Sequence, residues 1–345
     1  MVRPRAIAVA LLCSFLFGAT QRMASQSRVW QPFQKAVTWH WQSWQQKNGE
    51  VDWKGVATDL DAMQQAGITW ARMHIGPEMN EALTDRLIDM AASRNIQFLV
   101  LVADTDSMAK QESPEWLASI THKYKGRISA WEVGNEENYS GYWSLAGGRA
   151  ASVQRYVDYL AKAYPAIKQA NPDAFVLMGG LMGYRVEEFL PEFLRLGGGR
   201  FTDGFAIHPY ASNPKGVVDR LAEIQREIAH DSNLHGKPVW ITEIGYYANE
   251  PKWTTAARVP DEATKAIYLT QTIEGLRKHG IDTPVFWYNF HDFQPGVCGY
   301  SLVLFDTLGY EVALPAYEAY KNLTPAGSGK NSLDERQPPH TPVCR

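Results

Sequence analysis

From residue 36 onward, short apolar runs alternate with longer amphipathic ones, and the alternation repeats eight times. The apolar runs at 36–40, 68–75, 96–103, 128–133, 174–180, 204–209, 238–243 and 283–289 have the length of strands buried on both faces. Helical patterns separate them at 53–66, 84–93, 116–124, 151–169, 186–196, 217–229 and 262–279, and an eighth follows at 315–322. In the first of these, Val56, Leu60 and Met63 recur at helical spacing and Gly67 supplies a stop. Strict alternation of strand and helix predicts parallel strands. Eight such strands can close into a single (β/α)8 TIM barrel, an α/β fold. A doubly wound open sheet is the alternative, but no glycine-rich phosphate-binding turn follows the first strand.

The 345 residues suffice for one large core, and the formal charge of −3 includes no basic stripe of the kind that grips nucleic acid. The 12 Trp and 16 Tyr are flat, apolar faces with polar edges, suited to sugar rings as well as to packing. Arg3 and Arg5 followed by an apolar stretch over residues 7–19 read as a secretory signal, with cleavage near residue 25. The expected organisation is therefore a signal at 1–25, a catalytic barrel at 26–323 and a polar tail at 324–345. A secreted or periplasmic location follows, with no stable membrane span after cleavage. In an oxidising compartment, Cys298 and Cys344 either pair or remain two free thiols.

Barrel enzymes carry reactive groups at the C-terminal ends of their strands. The fourth run leads through Glu132, Val133 and Gly134 into Asn135, Glu136, Glu137 and Asn138. The seventh ends on Thr242 and Glu243. In a closed barrel these two ends face each other, so Glu136 and Glu243 can flank a glycosidic bond, one protonating the leaving oxygen while the other attacks the sugar. Asn135 and Glu136 are neighbours, and both can face the cleft only where regular strand geometry breaks.

Asn135–Glu136 on strand four, Glu243 after Thr242 on strand seven, His208-Pro209-Tyr210 after strand six, Arg72 in strand two and Phe286-Trp287-Tyr288-Asn289 in strand eight together resemble the retaining glycoside hydrolase clan of (β/α)8 barrels. That clan is known as the 4/7 superfamily. The likeness covers nearly the whole chain after the signal. Within the clan it is nearest to families that include β-xylosidases and exopolysaccharide endoglycosidases, although Glu137 stands where a proline is common.

The resemblance implies that Glu136 is the acid/base and Glu243 the nucleophile. Asn135 would bond the sugar 2-hydroxyl, Arg72 and Tyr210 would hold Glu243 ionised, and Trp287 would floor the scissile sugar, with a non-proline cis peptide at Trp287–Tyr288. His208 would be a positioned donor. Glu132 is expected inside the barrel, paired with Arg72, and Glu137 is either a substrate contact or an ion-pair partner. Trp39-His40-Trp41, with Trp44, and His74 either line sugar subsites or pack the rim. No HExxH or CxxC spacing points to a metal, and no cofactor is expected. The leading reading is an endo-acting retaining hydrolase, acting as a monomer on a β-linked polysaccharide or oligosaccharide. An exo-acting β-glycosidase such as a β-xylosidase is the alternative, and a non-catalytic glycan-binding barrel is a third.

Overall fold

A computed structural model describes residues 34–46, 48–248, 257–292, 299–305 and 311–324. The expected signal, most of the polar tail, Cys298 and Cys344 lie outside the described residues. Eight parallel strands form a closed barrel: β1 Lys35–Thr38, β2 Ile68–His74, β3 Gln97–Val102, β4 Ala130–Asn135, β5 Phe175–Met182, β6 Phe205–His208, β7 Val239–Ile244 and β8 Val285–Trp287. Each pairs with its neighbours in sequence, and β8 closes on β1 through Ala36 opposite Phe286. Closure excludes the open sheet. A helix follows each strand: α1 Trp53–Gln65, α2 Glu81–Ala92, α3 Pro114–Lys123, α4 Arg149–Ala170, α5 Leu190–Arg195, α6 Pro214–Ala229, α7 Glu262–Lys278 and α8 Pro315–Asn322.

Local chemistry explains why several helices begin earlier than hydrophobic periodicity predicts. Asn80 accepts from Leu83 N at 3.0 Å, Ser113 from Trp116 N at 3.3 Å and Asn213 from Gly216 N at 3.0 Å. Each cap satisfies an amide that has no partner within the helix, and Pro114 and Pro214 occupy first-turn positions where no amide is needed. The last helix is tied to the first strand. The Tyr320 hydroxyl donates to Ala36 O at 2.8 Å and accepts from Ala36 N at 2.8 Å.

Strand parity sorts the interior into layers. Trp70, Trp240 and Phe286 point inward at the lower end, with ring centroids of 5.8 Å for Trp70–Trp240 and 6.1 Å for Trp240–Phe286. Two residues further along, β2 places Arg72 on the same face as Trp70, so aromatic packing below supports a polar layer above. The expected fourth strand, 128–133, is observed two residues later at Ala130–Asn135 because Asn135 still pairs with Gly180 of β5.

Candidate active site

The break between Asn135 and Glu136 is visible in the backbone. Gly134 has φ +100°, and Glu136 lies in the left-handed region at φ +48°. The turn at Gly134 disrupts the alternation set by Glu132, so both Asn135 and Glu136 face the cleft. Glu136 N still donates to Gly180 O at 3.0 Å, which holds the kinked strand end against β5. A side chain at Gly180 would collide with His208 Nε2 at 2.2 Å, so only glycine leaves room for that ring.

Arg72 organises the polar layer. Its Nε donates to Glu132 Oε2 at 2.5 Å, Nη1 to Glu243 Oε1 at 2.5 Å and Nη2 to Asn135 Oδ1 at 2.9 Å. Burial opposes the guanidinium charge, but Glu132 and Glu243 outweigh it and raise its pKa above the ordinary value. Glu132 is fully buried and also accepts from Gly180 N at 3.0 Å, the inward ion pair expected of it. Tyr210 OH donates to the second oxygen of Glu243 at 3.1 Å.

His208 lies behind the two carboxylates, wholly buried, with Nδ1 3.0 Å from Glu136 Oε1 and Nε2 3.1 Å from Thr242 Oγ1. Burial pulls its pKa down, but Glu243 and Glu136 more than offset this and the net direction is upward. Glu136, His208 and Glu243 each offer a ligand atom within 4.8 Å of the others, spacing that could hold a metal ion. Each of these side chains already has protein partners, and the Arg72 charge against Glu243 opposes a second cation.

A cleft of about 420 Å³ opens over this layer, a volume in the range of small-ligand sites. Arg72, Asn135, Glu136, Glu243, Trp39 and His74 reach it. Trp39 is almost wholly buried, and its Nε1 donates to buried Asp59 at 2.6 Å. His74 sits 3.3 Å from Glu112 Oε1, and Glu112 in turn accepts from Ala103 N at 2.6 Å.

Two expectations need correction. Trp287 does not floor the cleft. Phe286 points inward against Trp240, so by strand alternation Trp287 points outward, packing 6.1 Å from Tyr246 beneath α7. Tyr288 reaches the cleft instead, and the non-proline cis peptide is Tyr288–Asn289, one bond later than expected. Glu137 neither touches the cleft nor forms an ion pair. It is buried outside the barrel wall against Gly134, Gly179 and Tyr156. The left-handed turn at Glu136 sends the next side chain away from the cleft.

The sequence reading did not single out Asp104 or Tyr142, which also line the cleft, as does His40, expected with Trp39 either to line a subsite or to pack the rim. Asp104 lies directly beyond β3, so the rule that drew attention to Glu136 would have found it. Its Oδ1 is buried without a partner among the described residues, and burial raises its pKa. His40 is held neutral at neutral pH: burial, then His291 and Arg72, lower its pKa to about 3. No single-residue signal marked Tyr142.

No protein-family model and no curated protein matches the chain. Solved structures do. A family 39 glycoside hydrolase from the gut symbiont Bacteroides cellulosilyticus WH2 superposes with a TM-score of 0.63 at 20% identity, over 84% of this chain and 63% of that one. A monomeric β-xylosidase from Caulobacter crescentus CB15 gives 0.60 at 16% identity, over 84% and 68%. A β-galacturonidase from Eisenbergiella tayi gives 0.59 at 16%, over 85% and 50%. The chain thus spans about 63% of the first of these proteins and half of the last. With its closed ring of eight parallel strands, the chain shares the (β/α)8-barrel fold of these glycoside hydrolases.

Proposed function

We propose that this protein is a retaining glycoside hydrolase that cleaves β-linked glycan chains internally, with Glu136 as acid/base and Glu243 as nucleophile. The observation that carries the reading is the approach of the two carboxylates, with an oxygen of each within 4.8 Å of the other at the barrel rim. Retaining enzymes hold their carboxyl groups about 5–5.5 Å apart, whereas inverting enzymes leave roughly 6.5–9.5 Å for a water. Glu243 is fixed on one oxygen by Arg72 and on the other by Tyr210, leaving it oriented toward one reacting carbon. Asn135, held by Arg72, stands where it can bond the sugar 2-hydroxyl, a contact that strengthens as positive charge develops on the ring.

In the first step Glu243 attacks the anomeric carbon as Glu136 gives its proton to the departing oxygen. In the second, Glu136 takes a proton from water, which releases the sugar from Glu243. Mass spectrometry of intact variants tests these roles. An aryl β-glycoside with a good leaving group needs no proton, so Glu136→Ala should accumulate a covalent adduct and then stall. Glu243→Ala should form none. An adduct on the Glu243 variant, or one mapped to Glu132 in the unaltered protein, would overturn the assignment. Early products of many lengths from a polysaccharide would support internal cleavage, and single sugars from the outset would favour the exo reading.

A further inference from the structure

Large hydrophobic residues are exposed at five positions among the described residues, and four of them lie in the segments that follow the adjacent strands β4 and β5. Tyr139, Tyr142 and Leu145 belong to the loop after β4, and Tyr184 to the loop after β5; only Ile267, on α7, stands elsewhere. Tyr139, Tyr142 and Tyr184 are 38%, 39% and 45% exposed, too much for core packing to explain them. Clustered apolar exposure on a folded surface marks a binding region.

The cluster is continuous with the cleft on one particular side. Tyr142 lines the cleft, and its ring meets Tyr139 edge-on at 5.3 Å between centroids. Burial and the charge of Glu136 both push the Tyr142 phenol up, and Tyr184 likewise feels burial, Glu136 and Tyr139. The backbone ties all three tyrosines to the end of β4: Tyr142 lines the cleft with Glu136, Tyr139 N donates to Glu136 O at 2.7 Å, and Tyr184 O accepts from Asn138 Nδ2 at 3.3 Å. Trp39, His40, His74 and Asp104 line the cleft from the ends of β1, β2 and β3, and Glu243 and Tyr288 line it from the ends of β7 and β8.

The supporting loops are braced. Asn138 Nδ2 donates to Met182 O at 2.8 Å and Asn138 Oδ1 accepts from Met182 N at 2.9 Å, joining the two loops as a short ladder. Arg149 Nη1 donates to Asn138 O at 3.0 Å and Nη2 pairs with Glu188 at 2.6 Å, while Glu188 also accepts from Arg185 Nε at 2.7 Å. Loops held this way keep the backbone that carries the rings in place, which lowers the ordering cost of binding.

We propose that Tyr139, Tyr142 and Tyr184 form a stacking platform for the leaving-group sugars of a β-linked glycan chain. The proposal rests on Glu136 being the acid, because the group that accepts its proton must depart on its side of the cleft. The apolar faces of pyranose rings match tyrosine rings, and a chain departing over three of them remains bound through more than one sugar.

Affinity electrophoresis of the full chain through gels containing soluble β-glucan, xylan, galactomannan or galactan tests the platform. At least one polysaccharide should retard the unaltered protein. In the Tyr139→Ala/Tyr184→Ala variant the polysaccharide concentration that halves mobility should rise about tenfold, in keeping with two lost aromatic contacts. Tyr139→Phe/Tyr184→Phe keeps both rings and should keep the retardation, which also controls for folding. Absence of retardation by every polysaccharide, or equal retardation of the alanine variant, would overturn the platform. Equal losses in the phenylalanine and alanine variants would also overturn it, because the hydroxyls rather than the rings would then be the binding groups. Release of reducing ends from the retarding polysaccharide reports separately on catalysis, so a protein that is retarded but does not cleave sinks the hydrolase reading and keeps the glycan surface.

Discussion

The Nδ1 atom of His208 lies 3.0 Å from Oε1 of Glu136, in a position that solvent does not reach. The same nitrogen is 3.8 Å from Glu243, so one imidazole is coupled to both carboxylates. Its proton is retained by those two acids against the opposing effects of burial and Arg72. The raised pKa of His208 therefore contributes stability that is fully present below pH 6.5 and is lost as pH rises through the folded-state midpoint. Replacing Glu136 with Gln should lower that midpoint, and NMR titration of the imidazole measures it directly. An unchanged midpoint would mean that Glu136 does not hold the proton.

Arg72 is the element of the site least able to be replaced. Its removal leaves Glu132, which no solvent reaches, as a buried charge without its partner. Breaking a buried ion pair from one side costs about 3–5 kcal/mol. We expect Arg72→Met to lose that much stability in urea unfolding. Arg72→Lys should recover only part of it, because one ammonium cannot serve Glu132, Glu243 and Asn135 with the spread of a guanidinium.

Glu137 offers a test with the opposite sign. Burial drives its carboxyl well above the ordinary value of 4.5, so the folded state retains a proton that the unfolded state releases. Stability from this group is present below pH 4.5 and falls as pH rises above it, with a slope approaching ~1.4 kcal/mol per pH unit until the folded-state midpoint is reached. Glu137→Gln cannot ionise, so it should match the unaltered protein near pH 4 and exceed it in stability at pH 7. A stability difference independent of pH would contradict this. Because Glu137 faces away from the cleft, its mutation should leave the cleft residues and the proposed role of Glu243 untouched.

Much of this architecture could be read from the chain. Eight apolar runs separated by amphipathic segments specify a parallel α/β fold because each run needs a helix to cover it and to return the chain to the same end. Glu136 and Glu243 could be placed at the rim for a similar local reason: each follows directly on a strand, whichever way the strand turns. Residue orientation was another matter. Trp287 lies outside the barrel wall because Phe286 packs inward on Trp240, and that parity depends on contacts between strands distant in sequence. Asn135 faces the cleft because the positive-φ turn at Gly134 breaks the alternation, and Glu137 is buried because the left-handed turn at Glu136 sends it outward. The bonds from Arg72 to Glu132 and Asn135 of β4 and to Glu243 of β7, and the link from Asn138 to Met182 that joins the segments after β4 and β5, likewise exist only once the barrel has closed. Hydrophobic periodicity is a local property of the chain and determined the element order. Which side of each strand meets the substrate is a cooperative property of register, and only the tertiary structure decided it.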